Sequence, residues 1–428
     1  MKKFKILSRP ALVKILLLIL TFFLGAFTFR FYQKKKSPLP SPLIKDKHLA
    51  FVFEVYDLVQ ENYWEKIEDE QLVNIYLLAL EKLTTQPQTL KKNDPEHLKK
   101  LLSLILAQIG AEDKKKEFVA QLSDLVLANL KPFGRSRLYT TKEEKELSKN
   151  VKNITDVNHY QALGIDKGAS EQEIEKAHEK TIEKYQSPED TQKLAQANQA
   201  YEILKEPKSK KAYDKSGIEP TISSKLLYPE IFYLKIKKFS PTTLEELARV
   251  TQEVDQGDLL NTLILDLRDN IGGAIDGLPY FLGPFIGNNQ YAYQFSHQGE
   301  SADFKTKTGW LPSLIRYKKV VVLINENTQS SAEVMAATLK RYNVGVVIGT
   351  ASKGWGTVER VFQLKNQLDE NEKYSVFLVH SLTLRDDNQP IEDRGIDPLI
   401  NINDADWEKQ LYDYFHYDKL TETIKEIL

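Results

Sequence analysis

The chain is 428 residues long, 41% hydrophobic and 28% charged, with a formal net charge of −1 and no cysteine. At roughly 150 residues per domain, this length accommodates two or three domains. The near-zero charge speaks against a nucleic-acid partner, and the lack of cysteine excludes disulfides, thiolate metal sites and a cysteine nucleophile.

Residues 1–36 read as a membrane anchor with basic flanks. Ile15 to Phe29, "ILLLILTFFLGAFTF", is uncharged and extends upstream through Ala11, Leu12 and Val13, with Lys14 near enough the edge to snorkel. About 20 apolar residues cross a bilayer, so the stretch suits one single-pass helix. A cleaved signal peptide ending near "LGA" is the competing reading. The aromatic continuation Phe27, Phe29, Phe31 and Tyr32 suits an uncleaved anchor better. Lys2, Lys3, Lys5 and Arg9 precede the stretch and Arg30, Lys34, Lys35 and Lys36 follow it, which leaves little charge asymmetry to set orientation. Residues 37–49, with their Pro- and Ser-rich start, form a linker.

Residues 50–150 are expected to be helical. "FVFEVYDLVQENYW", "QLVNIYLLALEKL", "HLKKLLSLILAQI" and "EFVAQLSDLVLANL" all repeat apolar residues at helical spacing. Pro132 and Gly134 interrupt in "KPFGRSRLYTTKEEKEL", after which Thr141 begins a short acidic helix. Residues 155–219 form a small helical module, in which Ser170 and Glu173 make a capping box ahead of a charged helix. A second helix, "TQKLAQANQAYEIL", follows.

Residues 225–405 alternate strand and helix patterns: "IFYLKI", "TLEELARVTQEV", "TLILDL", a helix after Gly273, "VVVLI", a helix from Ser330, and "VGVVIG". That order predicts an α/β core with helices on a mixed, largely parallel sheet. Residues 406–428 complete the chain as a helical tail. In "VVVLINENTQSSAEVMAATLK" the adjacent Ser330 and Ser331 sit where strand gives way to helix, and either suits an N-cap. No metal-ligand spacing such as HExxH occurs, and no metal or other cofactor is expected.

Five segments, in order, resemble the C-terminal processing peptidases, also called tail-specific proteases, of the S41 type. They are "LKPFGRSRLYTTKEEKEL", "LNTLILDLRDNIGG", "VVVLINENTQSSAEVMAATLK", "VGVVIGTASKGWGTVE" and "RGIDPLI". The resemblance implies a membrane-anchored serine endopeptidase acting on unfolded or C-terminal protein segments. It further implies an inner-membrane location with the soluble part outside the cytoplasm. Its nucleophile falls on Ser330. The oxyanion hole falls on Gly272 or Gly273 together with the N–H of Ser331. Asp266 and Arg268 are expected to pair structurally at the strand end.

The implied general base is a lysine, which must shed its proton near neutral pH. An ungapped match puts Trp355 on the family's lysine and Glu359 on the glutamine that orients it. A two-residue loop shift instead selects Lys353 as base, with Glu359 beside it. A non-catalytic, peptide-binding relative is the alternative. His380, in "VFLVHSLTL", is the histidine a Ser-His arrangement would use.

Residues 157–217 resemble a J-domain, the helical hairpin of Hsp70 co-chaperones. "HYQALGIDKGASEQEIEKAHEKTIEKY" and "ANQAYEILKEPKSKKAYDKSG" match both ends of that pattern, and Leu163, Ala177, Tyr185, Ala200, Tyr201 and Leu204 are its expected apolar seam. The family's His-Pro-Asp loop is replaced by Gln186, Ser187 and Pro188. The resemblance therefore implies the fold, a scaffold role at most, and no Hsp70 stimulation. The module stands where processing peptidases carry a PDZ domain.

Overall fold

The computed structural model describes residues 46–154, 158–185, 187–254, 259–385 and 387–428. The expected anchor at 15–29 and the position of Gln186 lie outside the described residues, among which no helix is long and apolar enough to cross a membrane.

Four helices open the described chain: α1 (Lys47–Asn62), α2 (Asp69–Thr84), α3 (Pro95–Gln108) and α4 (Glu112–Ala128). Asp46 and Asp94 cap α1 and α3 through their carboxylates, and Pro95 takes a first-turn position where its missing N–H costs nothing. These helices share their core with a distant part of the chain. Phe51, Tyr76, Leu102 and Leu122 cluster with Leu364, Leu368, Val376 and Leu378.

The small module comprises α6 (His159–Ala162), α7 (Glu171–Lys184), α8 (Thr191–Leu204) and α9 (Pro207–Ser216), preceded by β1 (Arg137–Thr140) and α5 (Thr141–Lys152). Leu163, Ala200 and Leu204 are buried in its own core with Tyr160, Ile174, Ala197 and Ile203, while Ala177 and Tyr201 flank it. Tyr185 departs from the expected seam. It ends α7 with the ammonium groups of Lys184 and Lys193 about its ring at 5.3 and 5.0 Å.

The catalytic-like core holds two sheets. One contains β2 (Ile222–Tyr228), β3 (Ile231–Ile236), β4 (Thr262–Asp266), β7 (Lys319–Ile324), β8 (Val346–Gly349) and β11 (Ile400–Asn401) in the order β11-β8-β7-β4-β3-β2. All its pairings are parallel except β2 with β3. Side chains alternate between two buried faces, as a covered parallel sheet requires. Leu263, Leu265, Val320, Val322 and Ile324 join a core with α10 (Thr243–Glu253), α11 (Leu278–Ile286) and α13 (Ser331–Arg341). Ile264, Val321 and Leu323 face Leu411, Leu420 and Ile424 of the tail helices α14 (Trp407–Phe415) and α15 (Asp418–Ile427). A four-residue turn of helix, α12 (Pro312–Ile315), precedes β7.

The second sheet is antiparallel and was not expected from the strand–helix alternation. It contains β1, β5 (Tyr291–His297), β6 (Glu300–Lys305), β9 (Thr357–Gln363) and the long β10 (Tyr374–Leu384). Arg137 of β1 pairs with Phe377 of β10, which carries the segment after α4 onto the core.

Candidate active site

The C-terminal ends of β4, β7 and β8 lie side by side, because β7 pairs with both neighbours in parallel. In open parallel sheets the crevice beyond these ends is where ligands bind. Here the loops after the three strands carry Gly272–Gly273, Ser330–Ser331 and Lys353–Trp355 respectively.

Ser330 is the N-cap of α13 and has φ +57° and ψ −126°. A non-glycine residue in positive φ is strained by about 1–3 kcal/mol and persists only where its surroundings enforce it. The surroundings do so here: Gln329 N–H donates to Asn270 O (3.0 Å), Thr328 Oγ1 to Leu267 O (2.9 Å), and Ser330 N–H to Glu333 Oε2 (2.8 Å). A strained strand-to-helix turn of this kind lifts a serine above a sheet. Ser331 begins the helix and is fully buried, its hydroxyl donating to Gly273 O (3.1 Å).

Gly272 and Gly273 have φ +83° and +139°. A Cβ on Gly272 would stand 2.7 Å from Ser330 Cβ and 3.1 Å from its Oγ, so only glycine leaves the serine room. One on Gly273 would collide with the Phe239 carbonyl. The Gly272 N–H is already donated to Asn270 Oδ1 (2.8 Å). The N–H groups of Gly273 and Ser331 have no acceptor among the described residues.

The third loop separates the two lysine alignments. Lys353 is exposed, with its N–H on Thr328 O (2.9 Å) and its Nζ 5.4 Å from the centre of the Trp355 ring. Trp355, not Lys353, is the side chain that reaches Glu359, through Nε1 to Oε1 at 3.4 Å. Thr357 Oγ1 donates to the same oxygen. Burial pushes the Glu359 carboxyl above its ordinary range, against the opposing pull of these bonds and Arg135. Arg135 lies flat on the other participant, its guanidinium carbon 3.3 Å from the Trp355 ring centre.

His380 belongs to β10 of the other sheet. Its ring stacks on His297 at 4.1 Å, and its Nδ1 lies 2.8 Å from Ser381 Oγ. Burial first, then Arg360 and His297, lower its pKa to about 3. Asp266 and Arg268 pair as expected (2.7 Å), and Arg268 also ties the sheet to the tail through Ile427 O. No cluster of three potential metal ligands occurs among the described residues.

Sequence reasoning missed Glu333, Asn270, Arg135 and Glu392 as parts of the site. Glu333 did leave a signal, since Ser330-x-x-Glu333 has capping-box spacing. Arg135 and Glu392 left none, as they are joined only through space.

Residues 230–402 match the model of peptidase family S41. The chain carries an S41 peptidase domain. Residues 158–214 match the DnaJ domain. Among curated relatives, the carboxy-terminal processing protease CtpB of Bacillus subtilis is 23% identical over 372 residues, covering 85% of this chain and 69% of that protein. A carboxy-terminal-processing protease of Bartonella bacilliformis is 27% identical over 175 residues, covering 40% and 38%. A solved structure titled photosystem II D1 C-terminal processing protease is similar at 12% identity and TM-score 0.48, covering 84% of this chain and 94% of that one. A lipoprotein from Streptococcus agalactiae is similar at 13% identity and TM-score 0.44, covering 88% and 99%. The S41 family is of the serine-peptidase type, which implies protein or peptide substrates.

Proposed function

We propose that this S41 domain cleaves unfolded or C-terminal protein segments with Ser330 as nucleophile. The carrying observation is the strained Ser330 turn packed against Gly272, at the ends of three parallel strands. Gly273 N–H and Ser331 N–H are the donors for the developing oxyanion, because each is unspent, whereas Gly272 contributes space. Lys353 is the base in this reading. Its loop is fastened two residues before Ser330 by the bond to Thr328 O, and a lysine side chain is long enough to turn inward. The uncharged stretch 15–29 anchors the chain in the inner membrane, with the peptidase on the extracytoplasmic side.

A second reading is favoured by Trp355 and Glu359, which pair at the spacing where the family has lysine and glutamine. In that reading the cleft binds peptide tails without hydrolysing them, and the J-like module serves as a scaffold.

Cleavage of an unstructured peptide by the purified chain decides between them. The peptidase reading expects turnover that Ser330→Ala abolishes and Lys353→Ala reduces almost as far, since such groups act as one unit. Equal inertness of wild type and Ser330→Ala removes the peptidase reading, and binding of the same peptide without turnover supports the second.

A further inference from the structure

Glu333, at the third position of α13, is fully buried, and its two oxygens accept four hydrogen bonds. Oε2 takes the N–H of Ser330 and the N–H of Trp355, each at 2.8 Å. Oε1 takes the Gly354 N–H at 2.7 Å and the Ser352 hydroxyl at 2.6 Å. The Ser352 hydroxyl in turn accepts the Ile396 N–H at 2.7 Å, which extends the chain of bonds into "RGIDPLI".

None of the four donors is a cation. A carboxylate buried without a counter-ion is tolerated only when hydrogen bonds replace its water, and bonds to an ionised acceptor are short and strong. Three of these donors are backbone N–H groups, which cannot accept a hydrogen bond from a protonated carboxyl. The cage therefore favours the anion, working against burial, which pushes the Glu333 carboxyl above its ordinary range. An ordinary capping box uses one carboxylate oxygen on an exposed helix start. Here the rest of the carboxylate is committed to the loop after β8.

We propose that Glu333 is a positioning residue: it sets the Ser330 turn and the 352–355 loop in a single register, so that nucleophile and base side meet. The proposal rests on Ser330 being the nucleophile. Its physical basis is that the strained Ser330 backbone needs its N–H held, and the same carboxylate holds the opposite loop. A loop displaced by about 1 Å costs on the order of 100-fold in rate.

The test uses the purified full-length chain and two readouts. One is the rate at which a fluorophosphonate probe labels Ser330, with the peptide cleavage rate beside it. The other is amide hydrogen exchange over residues 350–357. An amide has one acceptor oxygen, so Glu333→Gln cannot serve both pairs of donors in either orientation. Glu333→Gln is expected to lose about 100-fold in labelling and in kcat, with KM little changed, and to exchange faster at Gly354 and Trp355. Ser352→Ala removes one bond of the four and is expected to lose about tenfold, with the same exchange signature weaker. Wild-type-like exchange in Glu333→Gln overturns the proposal. So does faster exchange with unchanged labelling, because the link would then not serve the nucleophile. If Glu333→Gln does not fold, Ser352→Ala carries the test, and wild-type labelling and exchange in that variant overturn it. Equal labelling of wild type and Ser330→Ala instead removes the nucleophile assignment, and with it the catalytic part of the proposal. The exchange readout still decides whether Glu333 joins the loops.

Discussion

Arg135 stacks on Trp355, its guanidinium carbon 3.3 Å from the indole centre, while Nε and Nη2 donate to Glu392 Oε1 at 3.2 and 3.0 Å. Glu392 spends its other oxygen on Gly356 N–H (2.7 Å). One arginine from the segment after α4 thus closes over the loop after β8. Arg135→Ala leaves a buried carboxylate without its cation and the indole without its cover. The expected loss is roughly 2–4 kcal/mol in denaturant unfolding. Arg135→Lys keeps the charge but not the planar stack and is expected to recover about half of that.

Glu359 gives a prediction with a definite sign. Its folded-state pKa is raised by burial, so the folded protein holds that proton more tightly than the unfolded chain does. The ionised group therefore costs stability above the unfolded carboxyl range, and the cost is relieved as pH falls. Glu359→Gln keeps an acceptor for Thr357 and Trp355. Its thermal midpoint should rise by roughly 2–4 °C at pH 7, with the advantage shrinking towards pH 4. An unchanged or lower midpoint at pH 7 would count against burial as the dominant influence.

The two glycines are expected to fail differently. Gly272→Ala presses on the Ser330 side chain and should cut cleavage by about 100-fold or more while the domain stays folded. Gly273→Ala meets the Phe239 backbone and should cost about 2–4 kcal/mol of stability before activity is considered. Melting curves and cleavage rates, measured together, separate the two effects.

His380 is held neutral, with a pKa of about 3 against the ordinary 6.5. Between those values the unfolded chain binds a proton that the folded chain refuses, so stability falls as pH drops from about 6.5 towards 3. His380→Phe retains an aromatic face for His297 and should lose less of its thermal midpoint than wild type between pH 7.5 and pH 5. Peptide cleavage should be retained, since the ring stacks on β5 of the other sheet. A complete loss of cleavage with an unchanged fold would make His380 the base.

The J-like module should bind no Hsp70 productively. Segment 155–219 added to an Hsp70 is expected to leave its ATP hydrolysis at the basal rate, because Gln186, Ser187 and Pro188 stand in place of His-Pro-Asp. Stimulation of even threefold would show that another surface can substitute. Within the module Glu219 lies 3.1 Å from His159 and accepts Gln199 Nε2 at 2.8 Å, and its carbonyl accepts from Asn153 Nδ2 at the end of α5, which ties the module to the preceding helix.

The sequence alone determined whatever depends on neighbours along the chain. The runs at 231–236, 262–266, 319–324 and 346–349 are short, apolar and separated by helical patterns, which is sufficient for a parallel sheet buried on both faces. Gly272–Gly273 and the serine pair marked two of the three loops at the site, because tight turns and helix starts demand particular residues. Tertiary structure decided the rest. The second sheet joins β1 to β10 across more than two hundred residues, and strands such as "YSVFLVHSLTL" gain their stability from those distant partners. It also decided which side chain meets Glu359. Loop register depends on where Glu333 catches the backbone N–H groups of Gly354 and Trp355, and no local preference encodes a bond between two loops.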